Sequence, residues 1–257
     1  MDRRRALRAA AAAAGALYVA GCDSRPGAPA LSSAAPSPSV PAAGPAATAS
    51  GPPSATVPLP AEVLNGPRDR PNVALTFHGQ GEPGLVRELL AVLAAQHTSV
   101  TVLAVGSWLV AQPALAKQVL DAGHELGNHT QNHAAIATMS ADQAYGEIDA
   151  CAQQLKKLTG SIGTWFRPSQ TQYSTPLIRA QATRAGYRTC LSYDLDSLDY
   201  KDPGVNVIVN TTLGAVRNGS IVSMHFGHAG TVTALPRVLD GLRQRGLRPV
   251  TMTELVS

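Results

Sequence analysis

From Pro71 to the C-terminus, short apolar runs rich in β-branched residues alternate with longer stretches of helical period. That alternation restricts the chain to repeated β-α units around a parallel sheet. The spacing predicts strands over 72–77, 99–105, 124–128, 164–166, 188–193 and 220–224, and helices over 85–96, 112–122 and from a Ser140 cap to 158. About seven strands in roughly 190 residues are tight for a full eight-fold barrel, so the expected fold is α/β, a distorted or incomplete (β/α) barrel rather than an open doubly wound sheet. In either architecture functional groups gather at the C-terminal ends of the strands.

The chain ahead of this region has a different texture. An arginine cluster, Arg3, Arg4, Arg5 and Arg8, precedes an apolar run over 9–20 and then Val19-Ala20-Gly21-Cys22. This order resembles a bacterial lipobox, which implies a signal peptide over 1–21, a lipid-modified Cys22, and an extracytoplasmic protein anchored to a membrane of the bacterial envelope. A plain cleaved signal or an uncleaved anchor are the alternatives, although about a dozen apolar residues are short for a membrane span. The leading arginines also resemble a twin-arginine export signal. Residues 22–66 are dominated by Ala, Pro, Ser, Gly and Thr and read as a disordered linker, leaving 67–257 as the globular domain. Beyond the leading arginines the net charge of +4 nearly vanishes and aromatics make up only 4% of the chain, which excludes a basic stripe or a stacking platform, so no nucleic acid partner is expected.

Five predicted strand ends carry groups capable of chemistry: His78, His129 with His133, Arg167, the trio Asp194, Asp196 and Asp199, and His225. Four positions separate His129 from His133, so one helical turn could aim both imidazoles at a single metal ion. Two ligands are too few for a tight site. Cys151 and Cys190 lie in no histidine-containing motif and read as structural thiols, with a disulfide between them left open.

The run Gly127-Asn128-His129-Thr130-Gln131-Asn132-His133 resembles the histidine motif of the NodB-type polysaccharide deacetylases, the family 4 carbohydrate esterases. Four further segments are similar to that family's other motifs, in order: Val73 to Phe77, Phe166-Arg167-Pro168, Ser192 to Pro203, and Ile221 to His225. The resemblance implies a polysaccharide deacetylase, a hydrolase removing acetyl groups from an acetylated cell-wall or surface polysaccharide by cleaving a C–N amide bond. It implies a divalent metal, zinc or a similar ion, with His129 and His133 as ligands. It also makes His225 the general acid, Asp199 in preference to Asp196 its orienting carboxylate, Arg167 a brace for the base, and the backbone N–H near Gln170 an oxyanion donor.

The first motif departs from the family pattern. Where two aspartates are expected, the chain has Thr76-Phe77-His78-Gly79-Gln80-Gly81. His78 could swing onto the metal as a third imidazole, an arrangement that suits catalytic zinc. It could instead serve as general base, with the third ligand drawn from Glu82 or from Asp194, Asp196 or Asp199. The rival is a catalytically impaired, glycan-binding lipoprotein on the same fold. His228, close behind His225, is a further imbalance in favour of imidazole.

Overall fold

The structure, a computed structural model, describes residues 58–257; the expected signal peptide, Cys22 and most of the expected linker lie outside the described residues. Strand β1 (Glu62–Val63) leads to β2 (Asn72–Gly79), α1 (Pro83–Ala95), β3 (Thr101–Ala104), α2 (Gly106–Ala111), α3 (Pro113–Asp121), β4 (Glu125–Asn128), α4 (Ala141–Thr159) and α5 (Pro176–Arg184). There follow β5 (Cys190–Leu191), β6 (Leu195–Asp196), α6 (Val205–Ala215), β7 (Ile221–His225), α7 (Ala229–Gln244), β8 (Arg248–Val250) and α8 (Met252–Val256). Every strand pairing is parallel: β4-β3-β2-β7-β6 form one path, β8 adds to the start of β2, and β1 pairs with β5. Single bridges through Phe166 join β4 to β5. No pairing joins β6 to β1 among the described residues, so the barrel is distorted and open there.

Strand alternation explains both the core and the site. In β2, Val73, Leu75 and Phe77 point outward and meet Val102, Ala104, Val222 and Met224 and the surrounding helices in one apolar core. The opposite face begins with Ala74, which packs with Leu103, Trp165, Ile221 and Met252 and fills the barrel's lower interior. Further along that face comes Thr76, whose hydroxyl donates to the Val222 carbonyl, and at the top His78. Each large apolar side chain buried in these layers stabilises by about 1.5–3 kcal/mol, which holds the imidazoles on a rigid floor.

The predicted elements differ from the observed ones where tertiary contacts outweigh local pattern. The α4 start is a full capping box, with Gln143 N–H donating to Ser140 Oγ and the Gln143 side chain accepting from Ser140 N–H. The strand expected over 164–166 contributes only its Phe166 bridges, and that expected over 188–193 shrinks to Cys190–Leu191. Helix α2 fills the interval between the strand expected over 99–105 and the helix expected over 112–122. The folded body also reaches back into the expected linker. Glu62–Val63 pairs with Cys190–Leu191, and Val63 is buried. A two-residue strand in a proline- and alanine-rich stretch leaves no compositional trace.

His124, at the entry to β4, is buried with its Nδ1 accepting from the Val100 N–H, and burial lowers its pKa below the ordinary 6.5. The unfolded chain takes up a proton near pH 6.5 and the folded one resists it, so this contribution is present above that pH and is lost as pH falls toward the depressed folded value. Urea denaturation of wild type and His124→Gln between pH 7.5 and 5 is expected to show a smaller loss on acidification for the variant. Parallel losses would place the acid sensitivity elsewhere.

A three-histidine cluster at the strand ends

His78 is the next-to-last residue of β2 and His225 closes β7, and the two are register partners across the β2–β7 pair. The chain leaving β4 supplies His129 and His133. One nitrogen from each of His78, His129 and His133 lies within 4.8 Å of the others. The ring of His78 stands 4.3 Å from that of His129 and 4.3 Å from that of His225, and His129 is 4.8 Å from His133, centroid to centroid.

The two motif histidines do not share a helical turn, as their spacing suggested. They sit in a tight loop in which Thr130 (φ 68°) and His133 (φ 54°) are both left-handed. Such backbone persists only when its surroundings over-determine it, and here they do. Asn128 Oδ1 accepts from Thr130 N–H, the Thr130 hydroxyl donates to Ser169 Oγ, and Gln170 Nε2–H donates to the His133 carbonyl. Glu147 of α4 takes both the backbone and side-chain N–H of Asn132.

The hydrogen bonds also assign the ring nitrogens. His129 Nδ1–H donates to the Arg167 carbonyl at 2.9 Å, so Nε2 carries a lone pair, and that atom is buried without a partner. His78 Nε2 lies 3.1 Å from Ser223 Oγ and 3.5 Å from Arg167 Nη1, leaving its Nδ1 buried and unpartnered. Burial, followed by the neighbouring histidines, holds the pKa values of His78 and His129 well below 6.5; burial and His225 lower that of His133. All three rings are thus neutral at pH 7. Two orphaned nitrogens in a converging set of neutral imidazoles fit a divalent ion of borderline softness.

His225 has a different environment. Its Nδ1–H donates to Asp199 Oδ1 at 2.7 Å, and Asp199 Oδ2 accepts from the His225 backbone N–H and the Thr231 hydroxyl. Burial alone would raise the Asp199 pKa, but these bonds and the His225 charge pull it below its ordinary value. Arg167 is fully buried, donates to Thr76 Oγ1 and to the Ser192 and Leu191 carbonyls, and is pushed down to about 10 by burial. No carboxylate forms an ion pair with it among the described residues.

The other carboxylates considered as ligands are not in the cluster. Asp194 pairs with Arg68 and accepts from Ile221 N–H at the start of β7. Asp196 Oδ1 accepts from Leu198 N–H. Glu82 stands ahead of α1 on the wall of a cavity of about 740 Å³. Cys151 and Cys190 are free, buried thiols, pushed up to about 12 and about 11 by burial.

His78, His133, Tyr200 and His225 line both this cavity and a second of about 380 Å³. The first is walled by Trp108, whose Nε1–H donates to the Gly81 carbonyl. The second is lined by Gln170, Gln172, Tyr193 and Asp196. Sequence reasoning passed over Trp108, which had no motif around it, and Ser223, which strand alternation from His225 places on the inward face.

Residues 65–190 match the polysaccharide deacetylase family model. A peptidoglycan-N-acetylglucosamine deacetylase of Bacillus cereus is 32% identical over 194 residues, covering 74% of this chain and 90% of that protein. The crystal structure of a family 4 carbohydrate esterase pseudoenzyme from Bacillus anthracis shares the fold at TM-score 0.73 and 23% identity, over 77% of this chain and 70% of that one. The family 4 carbohydrate esterase of Streptomyces lividans, solved with acetate, superposes at TM-score 0.65 and 27% identity, over 73% of this chain and 93% of that one. With nearly the whole length of the Bacillus cereus enzyme matched, this chain belongs to the polysaccharide deacetylase family.

Proposed function

We propose that the protein is a metal-dependent deacetylase that removes N-acetyl groups from a cell-wall or surface polysaccharide, with peptidoglycan or chitin-like chains as the substrate class. The observation that carries this reading is the convergence of three neutral imidazoles, two with buried unpartnered nitrogens, beside the Asp199–His225 pair. His78, His129 and His133 would hold the ion, and zinc suits their nitrogen donors. When bound, such an ion polarises the acetyl carbonyl and lowers the pKa of water.

The protein's own groups supply the rest. With Nδ1–H tied to Asp199, His225 has Nε2 left to deliver a proton to the departing amine nitrogen. Asp199 holds that ring in one tautomer. Ser223 Oγ, 3.1 Å from His78 Nε2, can accept its proton and so leave the Nδ1 lone pair free, which favours Nδ1 as the ligating atom and His78 as a ligand rather than a free base. The backbone N–H near Gln170 would steady the acetyl oxygen. Upstream, the signal peptide over 1–21, lipid on Cys22 and the linker to about residue 61 would hold the domain outside the cell at a membrane.

Among the described residues no carboxylate joins the cluster, which favours a second reading, an impaired, glycan-binding protein. Acetate release from acetylated chito-oligosaccharides and peptidoglycan fragments separates the two. The expected result is release that chelation abolishes and zinc restores, with His225→Ala lowering kcat by about 10²–10⁴-fold. Saturable oligosaccharide binding that survives chelation, with no acetate formed, would establish the second reading instead.

A further inference from the structure

The ring contacts at the strand ends form a row: His129 to His78 at 4.3 Å, His78 to His225 at 4.3 Å, and His225 to His228 at 5.8 Å. The outermost member repeats the arrangement of its neighbour. His225 Nδ1–H donates to Asp199 and His228 Nδ1–H donates to Asp202 at 2.9 Å, and in each case the partners come from the same two segments. The aspartates are three residues apart on the 3-10 turn Asp199–Lys201 and the residue after it, and the histidines are three apart at the end of β7. That turn is flanked by left-handed backbone at Leu198 (φ 57°) and Asp202 (φ 49°). A left-handed leucine is sterically costly, and the turn it enters brings both carboxylates against imidazoles.

The bland explanations for His228 do not hold. It stands at the N-cap of α7, yet its side chain makes no capping bond. Its ring is not a free surface group either, since Nδ1 is committed to Asp202 and the side chain is only 26% exposed. Nε2 is the one polar atom left, and His228 lines the cavity of about 740 Å³ that Trp108 also lines.

We propose that His228, oriented by Asp202, is a substrate-contacting residue that binds a hydroxyl of the sugar ring carrying the scissile amide. This rests on the deacetylase reading for its placement: the nitrogen that His225 protonates belongs to the sugar, so the ring lies on the His225 side, and the next imidazole outward meets the sugar rather than the acetyl group. An aromatic side chain and a fixed imidazole lining one cavity are chemistry that suits a sugar, which has an apolar face and hydroxyls able to donate or accept. The pair would therefore select the glycan and take no part in cleaving the amide.

The test has a kinetic arm and a binding arm, both on the zinc-loaded protein. With an N-acetylglucosamine pentamer, His228→Ala is expected to raise KM about tenfold, the equivalent of one lost hydrogen bond of 1.4 kcal/mol, with the loss falling on KM rather than kcat. His228→Gln should recover part of it, and Asp202→Asn should lie between. In calorimetry with the glucosamine pentamer, which needs no turnover, His228→Ala should weaken binding by a similar factor while zinc affinity holds. Unchanged KM and unchanged pentamer affinity would overturn the proposal, as would equal losses of kcat and zinc affinity, which mark a merely structural role. Absence of pentamer binding by the wild type would overturn it as well. If the wild type binds the pentamer through His228 but releases no acetate, the deacetylase reading fails and the sugar contact stands.

Discussion

Replacing His78 with alanine is expected to abolish tight one-to-one zinc binding, lowering affinity by more than about a hundredfold, the upper end of what loss of a mere supporting group costs. Three single-atom donors make up the cluster, so removing one leaves the two histidines of the β4 loop, too few for a tight site. Of the carboxylates that could substitute, Asp194 is committed to Arg68, Asp196 to Leu198 N–H, and Asp199 to His225 and Thr231, while Glu82 lines the same cavity but stands outside the cluster. Calorimetry on the whole protein measures the loss directly. A second reading comes from thermal unfolding, since a ligand that binds only the native state raises Tm with concentration; zinc should raise that of the wild type and leave His78→Ala nearly unmoved. If the variant binds zinc as tightly as the wild type, His78 is not a ligand, and its place beside Arg167 would assign it to the base instead.

The features legible in the sequence are those that repeat locally. Period-two alternation in β2 and β7 marks both the outward apolar residues and the inward series that ends in His78 and His225. Ser140 and Gln143 announce the start of α4 because a capping box is a local arrangement. The order of the histidines, Arg167 and Asp199 along the chain could be read because each follows a strand. The loop geometry was hidden. Left-handed backbone at Thr130 and His133 depends on Asn128, Ser169, Gln170 and Glu147, which are distant in sequence or carry no signature. The short strands β1 and β6 were equally hidden, since two hydrogen-bonded residues have no period to detect. Trp108 reaches the cavity only because α2 turns the chain back across it.

Gly79→Asp, the change that would restore a carboxylate one position after His78, is expected to destabilise the protein by more than about 4 kcal/mol and to add nothing to metal affinity. A Cβ at position 79 would lie 2.7 Å from Val102 Cγ1 and 2.9 Å from the Ala104 Cα. The second of these is backbone and cannot rotate away. Nor can β2 retreat, because it is hydrogen-bonded to β3 on one side and to β7 on the other. Alternation turns position 79 away from the face that carries His78, so the new carboxylate would meet apolar Val102 and Ala104 instead of the histidines, where an unpaired charge is costly. Gly79→Ala isolates the steric part and should cost about 1–3 kcal/mol. At about 2–4 °C per kcal/mol for a domain of this size, Gly79→Asp should lower Tm by on the order of 10 °C. Near-native stability in either variant would mean that the β2–β3 packing yields more readily than these distances imply. Loss in both, larger for aspartate, would mean that the core between β2 and β3 closes the route back to a carboxylate at this position.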